Sequence, residues 1–273
     1  MKIFIDTAKL SEIKEVYEYG IADGVTTNPS LIKKAVKSLK KRGENISIET
    51  YINKILETAK GTPVSLEVTE FSAEKMIDQA EKLYKIFNPV ANNVVIKIPV
   101  NPSFEDNEDK DFDGINAISS LADQGIPTNC TLVFTPEQAL LAAKAGATYV
   151  SPFAGRVDDY IRKNNDIAFE KTDYFPAAGW QEEEGYLHDN GIFSGIDLVE
   201  KIVDIYDIYN LETEVLAASM RNIEQVREAA LVGADIATIP YDVISKLMVH
   251  YKSREGMKNF TKDIVEEYVD LTK

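Results

Sequence analysis

Cysteine and histidine are scarce in this 273-residue chain, and each scarcity removes a class of chemistry. With Cys130 as the one cysteine, an internal disulfide and a thiolate-bound metal cluster are excluded. Two histidines, His188 and His250, leave too few ligands for a histidine-bound metal and few partners for a Ser-His dyad. No metal is therefore expected, and chemistry would fall to Lys, Asp, Glu and Thr. No apolar run approaches the length that crosses a bilayer. The opening Met1-Lys2-Ile3-Phe4-Ile5-Asp6 has too short an apolar stretch for an export signal, so a cytoplasmic location is the expectation. Positive charge is in deficit: 30 Lys and Arg against 45 Asp and Glu give −15. That balance argues against nucleic acid or an anionic membrane as partner, since both need a basic surface. It leaves room for a few local arginines to hold a small anion.

The chain is 44% hydrophobic, enough to bury a large core, and its length suits one (β/α) barrel domain spanning 1–273. Short β-branched runs at 2–6, 24–27, 63–68, 93–99, 126–134, 148–153, 214–219 and 235–239 read as strands. Amphipathic stretches at 10–19, 29–38, 48–60, 73–87, 112–123, 136–145, 196–209, 223–231 and 241–251 read as helices. Strands alternating with helices predict parallel βα units, and about eight of them predict a closed (β/α)8 TIM barrel. A doubly wound open sheet is the competing topology, but the Gly-rich first turn that usually marks it is missing. Two stretches break the rhythm: an acidic loop at 101–113, and a polar, aromatic insertion at 163–195 after the sixth strand. An additional C-terminal helix is expected at 259–271, with Phe260, Ile264, Val265, Tyr268 and Leu271 on one face.

Within Val94-Val95-Ile96-Lys97-Ile98-Pro99 a lysine interrupts an apolar strand. Burying an ammonium is costly unless it is paired or neutral. Alternation puts Ile96 and Ile98 on the helix side and turns Lys97 into the barrel, near the mouth where Pro99 ends the strand. There its amine is disposed to attack a carbonyl. The alternative is a strand-edge lysine reaching water, and this segment alone does not separate the two. Other strands end alike: Asp6; Thr26 and Asn28; Glu67; Asn129 and Thr131; Ser151 and Phe153; and Ser219, with Arg221 just beyond. Any one could be a cap or a satisfied core group. Together they place polar, inward residues at the C-terminal strand ends, where barrel enzymes carry catalysis.

Phe4-Ile5-Asp6-Thr7-Ala8, Asp23-Gly24-Val25-Thr26-Thr27-Asn28-Pro29-Ser30-Leu31, Val95-Ile96-Lys97-Ile98-Pro99, Asn129-Cys130-Thr131-Leu132, Ser151-Pro152-Phe153-Ala154-Gly155-Arg156 and Ala218-Ser219-Met220-Arg221 resemble the transaldolase family, Schiff-base aldolases on a (β/α)8 barrel. The resemblance implies an imine at Lys97, proton transfer by Asp6, and a water positioned by Glu67 and Thr131. It implies hydroxyl contacts from Asn28 and Asn129 in a pocket shared with Thr26 and Ser151, and a phosphate site of Arg156, Ser219 and Arg221. It also implies sugar-phosphate substrates, no cofactor, and a homo-oligomer, decamer or dimer. Members that simply cleave fructose 6-phosphate carry Tyr in place of Phe153, so by the same resemblance Phe153 and Glu67 together point to reversible transfer of a dihydroxyacetone unit from fructose 6-phosphate to an aldose phosphate. A lyase with the same machinery, a substrate with a sulfonate tail, and a binding protein without catalysis remain alternatives.

Overall fold

The computed structural model describes residues 1–104, 110–183 and 185–271. Among them ten strands occur: β1 (Lys2–Asp6), β2 (Gly24–Thr26), β3 (Val64–Glu67), β4 (Val94–Pro99), β5 (Thr128–Val133), β6 (Tyr149–Pro152), β7 (Gln181–Glu182), β8 (Gly185–Tyr186), β9 (Glu214–Ala217) and β10 (Ile236–Ile239). Eight close into a parallel barrel in the order β1-β2-β3-β4-β5-β6-β9-β10. The short antiparallel pair β7–β8 lies within the 163–195 stretch. All eight expected barrel strands are present, and closure rules out the open sheet.

Alternation along the strands separates two apolar clusters. Ile5, Val64, Ile96, Ile98 and Cys130 pack with helix residues such as Ile55, Met76 and Ile118 in the layer around the barrel. Phe4, Val95, Tyr149, Phe153, Leu216 and Ile236 form a separate cluster inside it. Each fully buried isoleucine of the outer layer contributes roughly 2 kcal/mol through removal from water. That preference fixes the strand register and with it the inward direction of Lys97.

Local signals set the helix ends. The Asn28 side chain accepts from the Leu31 N–H with Pro29 at the first helical position, and Thr135 and Gln138 form a reciprocal capping box. Gly20, Gly146 and Gly233 take left-handed φ values after their helices.

Several expectations need correction. The helix expected at 73–87 is Ala73–Ala91, running through Pro89 and closing at left-handed Asn92. A helix at Ala154–Asn164, absent from the sequence reading, follows β6. Two of its buried positions are Asp158 and Arg162, which interrupt its apolar stripe. The expected 241–251 helix reduces to Tyr241–Ile244. The single C-terminal helix expected at 259–271 is instead two, Tyr251–Lys262 and Glu266–Asp270, separated around extended Val265. Of the 101–113 loop, residues 105–109 lie outside the described residues. Asp113 begins the next helix, and its carboxylate accepts from the Ala73 N–H.

Candidate active site

The inward residues at the barrel mouth meet around Lys97. In strand register Lys97 sits between Glu67 on β3 and Asn129 on β5. It is 8% exposed, and its Nζ lies 3.4 Å from Glu67 Oε2. The offset charge is what makes a buried ammonium tolerable here. The Phe153 ring centroid is 5.8 Å from the same Nζ.

Asp6 ends β1 on the other side of the cavity. Its Oδ1 accepts from Thr26 Oγ1 at 3.0 Å, and Thr26 Oγ1 also meets Thr238 Oγ1 at 2.5 Å. Burial pushes the Asp6 pKa up from its ordinary value, while Lys97 and the Thr26 hydroxyl pull the other way. Thr131 is buried, and its Oγ1 has no hydrogen-bond partner among the described residues. Leu132, next in the chain, is held at φ +60, a conformation that costs a non-glycine residue about 1 kcal/mol or more.

The opposite end of the cavity is cationic. Arg221 Nε donates to Ser219 O at 3.1 Å and Ser219 Oγ at 3.2 Å, and its Nη2 donates to Asp159 Oδ2 at 3.0 Å. Its Nη1 is buried without a partner among the described residues. Buried donors are normally paired, so this one is left for an acceptor that the described residues do not supply. The exposed Arg156 guanidinium lies 4.8 Å over the Phe153 ring. Ser219 is itself at φ +63. Gly155 permits this packing: a Cβ there would lie 2.3 Å from Ser219 O.

A cavity of about 380 Å³ includes Asp6, Thr26, Asn28, Lys97, Ser151, Phe153, Arg156, Ser219 and Arg221 in its wall. An adjoining cleft of about 800 Å³ adds Glu67 and Thr131 and shares Asn28, Lys97, Phe153 and Arg156. Of the sequence-predicted residues, Asn129 alone lines neither. It is fully buried beneath, with Nδ2 donating to Ser65 Oγ at 3.2 Å and Oδ1 accepting from Ser151 Oγ at 2.7 Å. Thr238, Asp159 and Lys171 were missed. Thr238 is an inward position on β10 that alternation would have given, and Asp159 lies one turn beyond Arg156. Lys171 carries no signal in the sequence beyond its place in the insertion. Among the described residues no cluster of His, Cys, Asp and Glu could hold a metal, and no helix is long and apolar enough to cross a membrane.

A model of the transaldolase/fructose-6-phosphate aldolase family matches residues 3–272. The chain belongs to that family. It is 43% identical over 263 residues to a protein described as a probable transaldolase from Desulfosudis oleivorans, covering 96% of this chain and 97% of that one. Probable transaldolases from Chlorobaculum parvum and Prosthecochloris aestuarii are each 45% identical with the same coverage. These relatives are thus of nearly the same length as this chain. Membership of the transaldolase/fructose-6-phosphate aldolase family makes the chain an enzyme, and the strand-end residues gathered around Lys97 are its candidate machinery.

Proposed function

We propose that this enzyme is a transaldolase, moving a dihydroxyacetone unit reversibly from fructose 6-phosphate to an aldose phosphate through an imine on Lys97. The observation that carries the reading is the enclosed Lys97 amine, paired with Glu67 and sharing a cavity with Asp6. Glu67 takes a proton from Lys97 Nζ, the freed amine adds to the C2 carbonyl, and Glu67 returns the proton to the departing hydroxyl as the carbinolamine loses water to a protonated imine. The Asp6 carboxylate takes the proton of the C4 hydroxyl. The C3–C4 bond breaks, its electron pair passes into the imine to give an enamine, and the aldehyde leaves. The acceptor aldehyde is attacked by the enamine carbon, and its new alkoxide recovers the proton from Asp6. Glu67 and Thr131 hold the water that is lost in imine formation and returned in hydrolysis. Arg156, Ser219 and Arg221 grip the phosphate, the guanidiniums by charge-assisted hydrogen bonds.

Phe153 favours transfer over simple cleavage. Its ring stands 5.8 Å from Lys97 Nζ and offers no hydroxyl to activate water against the enamine. The enamine then persists until an aldehyde arrives. The test is borohydride reduction with fructose 6-phosphate followed by mass spectrometry, beside a coupled assay with and without acceptor. An adduct on Lys97 and turnover that needs acceptor are expected. An active Lys97→Ala variant would overturn the covalent mechanism, and full turnover without acceptor would make the enzyme a lyase.

A homo-oligomer is part of the same proposal. Helix Tyr251–Lys262 buries none of its residues, and Tyr251, Met257, Phe260, Ile264, Tyr268 and Leu271 are exposed at the C-terminal end. So much apolar surface on one segment is usual where another subunit covers it.

A further inference from the structure

We propose that Lys171 is a specificity-determining residue that engages the anionic tail of the sugar, selecting a dianionic phosphate over a monoanionic sulfonate or an uncharged ketose; this rests on the transaldolase reading above. An exposed lysine in an insertion is ordinarily a solvated surface charge. Three observations set this one apart.

The first is position. Lys171 lies in the wall of the cavity over Lys97, of the adjoining cleft, and of a further chamber of about 580 Å³ beside Arg156 and Arg221. It therefore stands where the substrate's tail meets the arginines.

The second is the way its segment is built. Arg162, 3% exposed, donates through Nη2 to Asp173 O at 3.0 Å and Tyr174 O at 2.8 Å. The same guanidinium stacks over Phe169 and Phe175, 4.9 Å from each ring. The Glu170 N–H donates to Asp173 Oδ2 and the Asp173 N–H to Glu170 O, closing a turn with Lys171 inside it. Asn222 Nδ2, just after Arg221, donates to Thr172 O at 3.3 Å, and the Tyr174 hydroxyl bonds Glu228. A buried arginine clamping two backbone carbonyls is an expensive arrangement for a loop with no task. Here it fixes the backbone of Lys171 at the rim, so only the side chain is left to order when an anion binds.

The third is charge. Arg156, Lys163, Lys171 and Arg221 supply four positive charges around the tail, and Asp159, paired with Arg221, and Asp189 remove two. Two remain, which match a phosphate dianion. Without Lys171 one remains, which matches a sulfonate. Among the described residues neither Lys171 nor Arg156 is in an ion pair.

The test compares fructose 6-phosphate, its 6-sulfonate analogue and fructose as donors to the uncharged acceptor glyceraldehyde, at low salt. Lys171→Gln is expected to lower the preference for phosphate over sulfonate in kcat/KM by roughly tenfold, the size of one partly exposed charge-assisted contact, and mainly through KM. Lys171→Arg should restore most of it. In the unsubstituted enzyme the preference should also fall below about pH 6, where phosphate loses its second charge. An unchanged preference in Lys171→Gln, with the Lys97 adduct still trapped by borohydride, would overturn the proposal alone. Absence of any Lys97 adduct in the unsubstituted enzyme would overturn the transaldolase reading, and this inference with it.

Discussion

Glu67 and Lys97 face one another in register on β3 and β4, with 3.4 Å between Oε2 and Nζ. Both are largely enclosed, so each offsets the cost of burying the other. If Glu67 also moves the water of imine formation, Glu67→Gln should lower kcat about 10²–10³-fold and slow borohydride trapping in proportion. Trapping and turnover at the unsubstituted rate would leave Glu67 a purely electrostatic partner of Lys97.

Asp6 is expected to act after the imine exists. Asp6→Asn should therefore still give the reduced adduct on Lys97 while losing cleavage by about 10²-fold or more. Burial raises the Asp6 pKa, and cleavage requires its carboxylate form. The acid limb of kcat/KM for the unsubstituted enzyme should accordingly lie above the ordinary carboxylate range. A limb at that ordinary range would mean another group sets it.

The barrel and most of the candidate site were legible because both follow a period of two. Ile96 and Ile98 packing outward leaves Lys97 no direction but in, and the same rule placed Glu67, Thr131 and Ser151. What stayed hidden depends on tertiary pairing. The Ala154–Asn164 helix is marked by buried Asp158 and Arg162, whose burial makes sense only beside Gly195, Gln225 and the 169–175 turn. Lys171 gained its place from that turn. The C-terminal segment 259–271 has the apolar spacing of one helix, but the Asp263 N–H closes the first helix on Asn259 O and Phe260 O, and Val265 is extended before the second begins.

Gly155→Ala tests the anion site without replacing a charged group. The new Cβ would meet Ser219 O at 2.3 Å and Arg221 Nε at 2.6 Å, and the first of these is backbone that cannot swing away. Overpacking of this kind costs about 1–3 kcal/mol. A lower Tm is expected, with a rise in KM that is larger for fructose 6-phosphate than for fructose. Equal rises for both donors would separate Ser219 and Arg221 from the phosphate.

The exposed C-terminal apolar residues make a prediction about assembly. Light scattering should find an oligomer for the unsubstituted chain, and Phe260→Glu combined with Tyr268→Glu should lower its order. Those side chains are 72% and 70% exposed, so the protomer's own core is left intact. A monomeric unsubstituted chain would remove the oligomer from the proposal.

Asp158 connects the insertion to the anion site and should set a pH dependence of stability. Its Oδ1 accepts from the Gly195 N–H at 2.7 Å, where the chain leaves the insertion. Its Oδ2 accepts from Gln225 Nε2 at 2.6 Å, and Gln225 Oε1 in turn accepts from the Arg221 N–H. Burial lifts the Asp158 pKa to about 7; the bonds from Gly195 and Gln225 and the nearby Arg162 oppose the rise, and Asp159 adds to it. Between the ordinary value of 3.8 and about 7 the folded chain therefore holds a proton that the unfolded chain has released. The stabilisation is complete below that window and is lost as pH rises through it, at about 1.4 kcal/mol per pH unit. Asp158→Asn does not titrate, and it presents an amide to one of two donors, so it should be the less stable protein at pH 5. Its deficit in urea unfolding should shrink by pH 8. A deficit that stays constant would mean that the two accepted hydrogen bonds outweigh burial and keep Asp158 ionised throughout.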